Sequence, residues 1–178
     1  MALREPNKKE LKVIKKALNY FDSKSFLNKY AIFVREAKSK KEVFAVSKDL
    51  AEFLGYLDPN LIYNAGIKIG EVGRRLRLSL EGSFWLVGND KKKVWVNEKG
   101  EMLFLYGRDI FSSSVVKTGD FGENEVVFVS NRHGDIIGIG KSRFSAEKIW
   151  DVDPERVVVE NLTDRGEYIR HKRLYDSF

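Results

Sequence analysis

The sequence predicts an α+β fold with two domains, residues 1–90 and residues 91–178. A stretch with helical spacing of apolar residues opens the chain, and β-rich runs between glycines and polar turns make up most of the remainder. A polar, turn-rich segment, residues 88–93, separates the two parts. With 178 residues and 43% hydrophobic content, the chain can form two small globular domains, each with its own core.

The N-terminal domain is predicted to begin with a helix. Asn7 followed by Glu10 fits a capping box, in which each side chain accepts a hydrogen bond from the other residue's backbone amide. Apolar residues then recur at helical spacing as far as Phe21, with lysines on the outward face. Two β-rich runs, residues 30–35 and 42–46, flank a polar connection and predict a hairpin.

The rest of the N-terminal domain is predicted to be one short helix and two strands. Ser47 caps the helix and Gly55 ends it. Residues 63–73 predict a strand with glycine-permitted bends, and residues 74–80 alternate with the period of a half-buried strand. The outward side of this second strand would carry Arg75, Arg77 and Ser79, and the inward side Leu76, Leu78 and Leu80.

The C-terminal domain is predicted to be a small, strongly bent β structure with one short helix. The helix runs from Glu98 to Tyr106, and Gly107 is its left-handed stop. The predicted strands are Val94–Val96, Glu125–Ser130, Ile136–Lys141 and Val157–Glu160. Gly134 supplies the unusual backbone angle in the hairpin between the second and third of these strands.

The net charge of the chain is +6 at pH 7, and all of the excess lies in the first half. Residues 1–90 carry 17 basic and 11 acidic side chains, whereas residues 91–178 carry 15 of each. A basic surface attracts the phosphates of any nucleic acid through counterion release, so RNA or DNA is the first candidate partner. Ordinary solvated lysines are the alternative explanation of the same charge.

No residue pattern predicts a catalytic centre, a metal site or a cofactor. Cysteine is absent, which excludes disulfides, thiol nucleophiles and cysteine-ligated zinc. Gly140-Lys141-Ser142 is similar to the end of a phosphate-binding loop, but the preceding glycine, Gly134, is one residue out of place. His133 has no serine or carboxylate at a spacing that would make it a base, and for His171, within Arg170–Arg173, a solvated or RNA-facing role is favoured over catalysis. We therefore expect a protein that is not an enzyme.

The hydropathy of the chain predicts a soluble, cytoplasmic protein without a membrane partner. No apolar run approaches the roughly 20 residues of a membrane span. The N-terminus is charged and lacks the apolar core of a signal peptide. We expect this protein to be a monomer.

Basic residues cluster with aromatic residues in a way that suits single-stranded RNA, whose bases stack on aromatic rings while its phosphates meet cations. The candidate cations are Arg74, Arg75, Arg77, Lys91, Lys92, Lys93, Lys141, Arg143, Arg165, Arg170, Lys172 and Arg173. Trp95, Tyr106, Phe111 and Tyr168 lie near them in the sequence. Core packing is the alternative role for these rings, and we favour it for Trp95 and Tyr168. Tyr106, at a predicted helix end, is the ring expected to face outward.

Several stretches of the second half carry a resemblance to a known module. They are Val94-Trp-Val96, the helix ending in Phe104-Leu-Tyr-Gly107, Val126-Val-Phe-Val129, and Gly134-Asp-Ile-Ile-Gly-Ile-Gly140. Together they resemble the PUA domain, an RNA-binding module named after pseudouridine synthases and archaeosine transglycosylases. Further stretches extend the similarity to the whole chain: Val43–Ser47, Leu61–Gly66 with Gly70, Lys93–Val96, Val152–Pro154 with Val157–Val159, and most distinctively Gly166–His171. The chain resembles the nuclear import protein seven family of archaeal and eukaryotic large-subunit ribosome biogenesis factors.

The resemblance implies a non-enzymatic protein with an α/β pre-PUA domain and a C-terminal PUA pseudo-β-barrel. It implies an RNA-binding adaptor that acts on precursor rRNA, prefers uridine-rich single strands, and contacts other ribosome assembly factors through its N-terminal domain. Archaeal members are also connected with the exosome. One stretch departs from the family pattern: where some archaeal relatives carry RNA-facing basic residues in the stretch matching Arg156–Thr163, only Arg156 is basic here.

We therefore expect an RNA site that extends across both domains. Arg74, Arg75, Arg77 and Lys91–Lys93 would contact phosphates. The PUA surface would position bases near Tyr106, Gly107, Arg108, Lys141, Arg165 and His171. The further RNA-binding candidates are Arg143, Arg156, Arg170, Lys172 and Arg173. The alternative is a protein-interaction adaptor without strong RNA affinity, whose basic face meets an acidic partner.

Overall fold

The computed structural model describes residues 2–37, 39–87 and 90–170. Its contacts divide the chain into two compact units, Met1–Asn89 and Asp90–Phe178, which we call the N-terminal unit and the C-terminal unit. Each unit has its own sheet, helices and core, which confirms the predicted α+β class. No helix in the described parts of the chain is long and apolar enough to cross a membrane.

The N-terminal unit is a five-stranded antiparallel meander with helices. Its elements are β1 (Leu3–Arg4), α1 (Lys8–Tyr20), α2 (Phe26–Lys29), β2 (Tyr30–Ala37), β3 (Lys40–Ser47), α3 (Lys48–Leu54), a 3₁₀ turn (Pro59–Leu61), β4 (Ile67–Val72), β5 (Leu76–Leu78) and α4 (Leu80–Leu86). The strands are hydrogen-bonded in chain order from β1 to β5. The predicted hairpin is confirmed, because β2 and β3 pair without a break from Tyr30↔Ser47 to Ala37↔Lys40.

The sheet of the N-terminal unit buries apolar residues on both of its faces. The larger core contains Ile14, Leu18, Phe26, Ile32, Val34, Val43, Ala45, Ile69, Val72 and Leu86. The smaller core contains Leu3, Phe44, Val46 and Leu54. Along β3 the two cores take alternate residues, as the two-residue repeat of a strand requires. Helices α1, α2 and α4 contribute to the larger core, whereas α3 contributes to the smaller one.

Two segments of the N-terminal unit differ from their predictions. Strand β4 begins only at Ile67, because Gly66 turns the chain just before it with a φ of 71°. Strand β5 ends at Leu78, and Ser79 then caps helix α4 instead of continuing a strand. The Ser79 hydroxyl donates to the Lys68 carbonyl over 2.7 Å and so does not face outward as predicted.

Helix α4 was not predicted because a tertiary contact determines it. A Cβ atom at Gly82 would lie 2.0 Å from the carbonyl oxygen of Ile69, so the helix can pack against β4 only with glycine at this position. Glycine is a poor helix former. The residue that permits the packing therefore weakens the helical pattern in the sequence.

The C-terminal unit is a nearly closed six-stranded barrel. Its elements are β6 (Lys93–Val96), α5 (Glu98–Leu105), β7 (Ile110–Phe111), a 3₁₀ turn (Ser112–Ser114), β8 (Val115–Thr118), β9 (Val126–Ser130), β10 (Ile136–Ser142), a second 3₁₀ turn (Lys148–Asp151), β11 (Val157–Asp164) and α6 (Glu167–Arg170). The strand order is β7-β11-β10-β9-β6-β8, so β7 and β8 form the two edges. A single 3₁₀ turn joins β7 to β8, which brings the edges close together.

Strand β10 bends so that the barrel can curl. Its pairing shifts between Ile136 and Gly138 on the β9 side, and between Ile139 and Gly140 on the β11 side. A Cβ atom at Gly138 would lie 2.4 Å from the carbonyl oxygen of Thr163, so glycine permits the close approach of β11. The predicted β9–β10 hairpin is confirmed, and Gly134 in its connection has a φ of 92°.

A partly buried ion network fixes the start of α1 to the sheet. Asn7 and Glu10 form the predicted capping box. Glu10 also accepts hydrogen bonds from Arg4 and from Lys41 of β3, each over 2.9 Å, although its side chain is only 7% exposed. The hydrogen bond from Arg4 leads the interactions that lower the pKa of Glu10 to about 2, against the burial that would raise it.

The ion network makes the stability of the N-terminal unit depend on pH. A carboxyl group with a lowered pKa in the folded state stabilises the fold above its unfolded pKa of 4.5, and this contribution is lost as the pH falls towards about 2. Glu10→Gln keeps an acceptor for the capping box but removes the charge. We expect it to lower the free energy of unfolding by about 2 kcal/mol at pH 7. The difference from the unmodified protein should shrink below pH 4.5 in urea titrations. Glu5→Gln, at an exposed position, is the control.

The packing of α4 is tested by a pair of glycine substitutions. Gly82→Ala gains about 1 kcal/mol of helix propensity but forces a clash with the Ile69 carbonyl, so we expect a net loss of about 2 kcal/mol. Gly73→Ala has no atom within 4 Å of the added Cβ and should change the free energy of unfolding by less than about 0.5 kcal/mol. Urea denaturation measures both. Equal stabilities for the two variants would contradict this packing of α4 on β4.

Candidate nucleic-acid interface

The end of helix α5 holds the exposed aromatic ring that the sequence predicted. Gly107 adopts a φ of 80°, and its amide donates to the Phe104 carbonyl over 2.9 Å. The Arg108 amide donates to the Leu103 carbonyl over 3.0 Å, so backbone amides beyond the helix satisfy the Phe104 and Leu103 carbonyls. Tyr106 precedes this stop and is 70% exposed. The predicted left-handed stop at Gly107 is confirmed.

Side chains from β11 and α6 also donate to carbonyls at this helix end. The Asn161 side-chain amide donates to the Phe104 carbonyl over 2.9 Å. The Arg170 guanidinium donates to the Leu105 carbonyl. Helix C-termini leave such carbonyls without partners inside the helix, so these two donors complete the cap.

A buried carboxylate orients both donors. Asp164 is 2% exposed and accepts two hydrogen bonds from Arg170, each over 2.9 Å, and one from Asn161 over 3.1 Å. The paired hydrogen bonds from Arg170 have the planar, bidentate geometry that matches guanidinium to carboxylate. The hydrogen bond to Asp164 also raises the pKa of Arg170. We call Asn161, Asp164 and Arg170 the α5 clamp.

A glycine makes room for the clamp. A Cβ atom at Gly166 would lie 1.8 Å from the Leu105 carbonyl oxygen, so only glycine lets α6 approach the end of α5. Gly107 lies beneath the Arg170 guanidinium: a Cβ atom at Gly107 would lie 3.3 Å from one of its nitrogens. The result is a rigid backbone that presents the exposed side chains of Tyr106 and Arg108.

The α5 clamp gives Arg170 a structural role in place of its predicted RNA contact. It also contains two residues that the sequence did not predict, Asn161 and Asp164. Arg170 was predicted to contact RNA, but its guanidinium is committed to Asp164 and Leu105. Asn161 and Asp164 were missed, because each lies more than 50 residues from the helix end it serves. The cluster of charged and polar residues in 161–170 is the only trace of the clamp in the sequence.

The other predicted contacts of the C-terminal unit differ in exposure and pairing. Arg156 and Arg165 are exposed, and Lys141 is half-buried on β10. Arg143 is paired with Glu160. His171, Lys172 and Arg173 lie outside the described residues.

Two lysines of the predicted phosphate-binding run 91–93 have acidic partners within their own unit. Lys92 pairs with Glu125 at 2.6 Å, and Lys93 is buried and pairs with Asp90 at 3.3 Å. The ammonium of Lys93 also lies 5.0 Å from the ring centre of Trp95, which is buried as favoured from the sequence. A phosphate would have to displace these contacts, which argues for a structural role of Lys92 and Lys93.

Three arginines near the end of the N-terminal sheet are exposed: Arg74, Arg75 and Arg77. Arg74 and Arg75 lie in the bend between β4 and β5, and Arg77 lies on β5, the last strand of the sheet. Within the described ranges, no carboxylate forms an ion pair with any of the three. The carboxylate opposite Arg77 across the strands, Glu71, is engaged by Lys40 and Lys68 instead. These guanidinium groups are therefore available to an external anion.

The catalytic candidates of the sequence lie in a hairpin connection and in a strand, and neither position suits catalysis. His133 is exposed in the β9–β10 connection, where its backbone amide donates to the Asn131 side chain over 3.0 Å. Lys141 and Ser142 belong to strand β10, not to a loop before a helix. In the described part of the chain, no three His, Cys, Asp or Glu side chains are grouped so that they could hold a metal ion.

Comparison with known proteins identifies both halves of the chain. Residues 3–80 match the NIP7/UPF0113 pre-PUA domain, and residues 92–173 match the UPF0113 PUA domain. A UPF0113 protein from Archaeoglobus fulgidus is 57% identical over 178 residues, which are 100% of both chains. The 60S ribosome subunit biogenesis protein NIP7 of Saccharomyces cerevisiae is 26% identical over 180 residues, covering 94% of this chain and 96% of the yeast protein.

Two solved structures share the fold. A conserved PUA domain protein from Thermoplasma acidophilum superposes with a TM-score of 0.65 at 17% identity, over 94% of this chain and 97% of that one. A hypothetical protein from Pyrococcus horikoshii superposes with a TM-score of 0.67 at 15% identity, over 99% of both chains. The barrel and the domain match define a PUA-domain protein. With its pre-PUA domain, the chain belongs to the NIP7/UPF0113 family, as the resemblance implied.

The α5 clamp is tested by removing the charge of its carboxylate. Asp164→Asn keeps the side-chain size but loses the charge that pairs with Arg170, so we expect a loss of about 2 kcal/mol in the stability of the C-terminal unit. The amides of Gly107 and Arg108 should exchange with deuterium faster. Asp151→Asn, at an exposed position, is the control and should change neither quantity. Unchanged exchange in Asp164→Asn would contradict the clamp.

Proposed function

We propose that this protein is a non-catalytic RNA-binding factor that acts on precursor rRNA in the assembly of the large ribosomal subunit. The observation that carries the proposal is the presence of both family domains over nearly the whole chain. Relatives with this arrangement are named 60S ribosome subunit biogenesis proteins. The proposal describes a monomer that works in the cytoplasm, without a cofactor or a metal.

The proposed ligand is a uridine-rich single strand of RNA. The ring of Tyr106 is exposed at a rigid helix end, where a base can stack on it. Arg108, Arg156 and Arg165 supply exposed cations on the same unit, and Lys141 a half-buried one. Stacking tolerates every base because each has an aromatic face, so the uridine preference rests on the family resemblance alone.

Most of the electrostatic affinity is assigned to the N-terminal unit. Arg74, Arg75 and Arg77 have no ion-pair partner among the described residues, whereas Lys92, Lys93, Arg143 and Arg170 have. A guanidinium without an ion pair can contact phosphate, because it does not first have to break a contact with a carboxylate. Counterion release then adds to the affinity at any RNA sequence.

Protein partners are the second part of the proposal. We propose that the protein contacts other ribosome assembly factors, and that the exosome is a further candidate partner. The second candidate function is an adaptor that binds these proteins without strong RNA affinity. The equal numbers of basic and acidic residues in 91–178, and the single basic residue in Arg156–Thr163, favour this alternative.

The phosphate contacts are tested by the salt dependence of RNA affinity. We expect Arg74→Ala, Arg75→Ala and Arg77→Ala, combined in one variant, to reduce the slope of log affinity against log salt by about 2, since each contact to a single strand contributes about 0.7. Fluorescence anisotropy with oligouridine, between about 50 and 200 mM salt, measures the slope.

A matched variant separates local contacts from net charge. Combined Lys9→Ala, Lys12→Ala and Lys16→Ala removes the same number of positive charges, three, but from the exposed face of α1. It should leave the slope nearly unchanged. Equal slopes for both triple variants would assign the effect to net charge and refute the arginine contacts. No binding of oligouridine by the unmodified protein at low salt would favour the adaptor.

A further inference from the structure

One face of the N-terminal sheet is covered by fewer helices than the other face. The larger core lies beneath three helices, α1, α2 and α4. The opposite face is covered by the segment 48–65, which contains only the seven-residue helix α3 and one 3₁₀ turn. Ala51, Leu54, Ile62 and Ala65 of this segment pack inward on Phe44 and its neighbours. The inward contacts thus use only a part of the segment's apolar residues.

The outward side of the same segment is also apolar. Its exposed large apolar side chains are Leu50, Phe53, Tyr56, Leu57, Leu61 and Tyr63. Tyr56 is 79% exposed, Leu61 83% and Tyr63 76%, so these large residues gain little from folding. Scattered exposed apolar residues are normal, but six within 14 residues of sequence mark an interaction surface. We call these six side chains the 50–63 face.

One ring of the 50–63 face already contacts a cation of the same unit. The guanidinium of Arg35 lies 4.4 Å from the ring centre of Tyr63 and donates to the Tyr63 carbonyl. Glu42 accepts from the same guanidinium and neutralises it. A fixed aromatic ring loses little conformational entropy on binding, which favours its use as an anchor.

The charge around the 50–63 face is opposite to that of the rest of the unit. Residues 48–65 contain one lysine, Lys48, and three exposed carboxylates, Asp49, Glu52 and Asp58. The N-terminal 90 residues as a whole carry 17 basic and 11 acidic side chains. Carboxylates beside exposed rings repel phosphates, so this face does not suit RNA. They attract ammonium and guanidinium groups instead.

We propose that the 50–63 face is the docking site for a protein partner that presents an amphipathic helix with an apolar stripe flanked by lysine or arginine. The apolar stripe would cover the exposed rings and leucines, and the flanking cations would meet Asp49, Glu52 and Asp58. The inference deepens the proposed contact with assembly factors and rests on it only for the identity of the partner. It does not require RNA binding.

Defined helical peptides test the docking site on the full chain. The probe is a fluorescent peptide of about 18 leucine and lysine residues at helical spacing, and its counterpart has glutamate in place of lysine. We expect the lysine peptide to bind at least about tenfold more tightly than the glutamate peptide. Combined Phe53→Ser, Tyr56→Ser and Leu61→Ser should weaken its binding by at least about tenfold. All three positions are exposed, so the fold should be retained.

Phe84→Ser is the matched control. Phe84 is 56% exposed and lies on α4, a helix that packs on the larger core, at the opposite face of the sheet. It should leave peptide binding unchanged. Equal affinity for the two peptides, or equal loss in both variants, would refute the docking site. Concentration-dependent dimerisation of the unmodified protein that the triple serine variant abolishes would assign the face to a second copy and overturn the proposal.

Oligouridine affinity of the triple serine variant separates this inference from the proposed function. Unchanged RNA affinity supports a protein docking face. A loss of RNA affinity parallel to the loss of peptide binding would show that the face belongs to the RNA site. If the unmodified protein binds the lysine peptide but not oligouridine, the proposed RNA function fails while the docking site stands.

Discussion

The pairing of buried Asp164 with Arg170 and Asn161 is the interaction on which the candidate RNA surface depends. One carboxylate orients two donors, and these donors bind the Phe104 and Leu105 carbonyls at the end of helix α5. The exposed ring of Tyr106 therefore stands on a backbone with little freedom. A base that stacks on this ring meets a surface that is already ordered, so less entropy is lost on binding. The same pairing argues against Arg170 as a phosphate contact, because its guanidinium already binds Asp164 and the Leu105 carbonyl.

The N-terminal unit separates two kinds of surface on one small sheet. The guanidinium groups of Arg74, Arg75 and Arg77, which have no ion-pair partner within the described ranges, lie at or beside its last strand, where they suit phosphates. The segment 48–65 is apolar outside and acidic at its rim, which suits a protein with basic flanks. Opposite charge at the two places keeps the two kinds of ligand apart. Net charge alone would have assigned the whole unit to nucleic acid.

Local signals in the sequence predicted much of the fold, whereas long-range contacts determined what was missed. The capping box at Asn7 and Glu10, the β2–β3 hairpin and the Gly107 stop each involve neighbouring residues and are confirmed. Helix α4 was missed because Gly82 is explained only by its contact with Ile69. The partner of Lys92, Glu125, lies 33 residues away, and Asn161 lies 57 residues from Phe104. Composition can locate candidate cations, but only the fold shows which of them are already paired.

The most direct test of the central claim is ultraviolet crosslinking of oligouridine to the full protein, followed by mass spectrometry of the adducts. Photoactivated uridine joins to side chains that contact the base. The account predicts an adduct at Tyr106, and it predicts that Asp164→Asn, which loosens the helix end without touching RNA, reduces the yield of this adduct. No adduct at Tyr106, together with adducts only at Phe53, Tyr56 or Tyr63, would contradict the role of Tyr106 as the ring on which a base stacks.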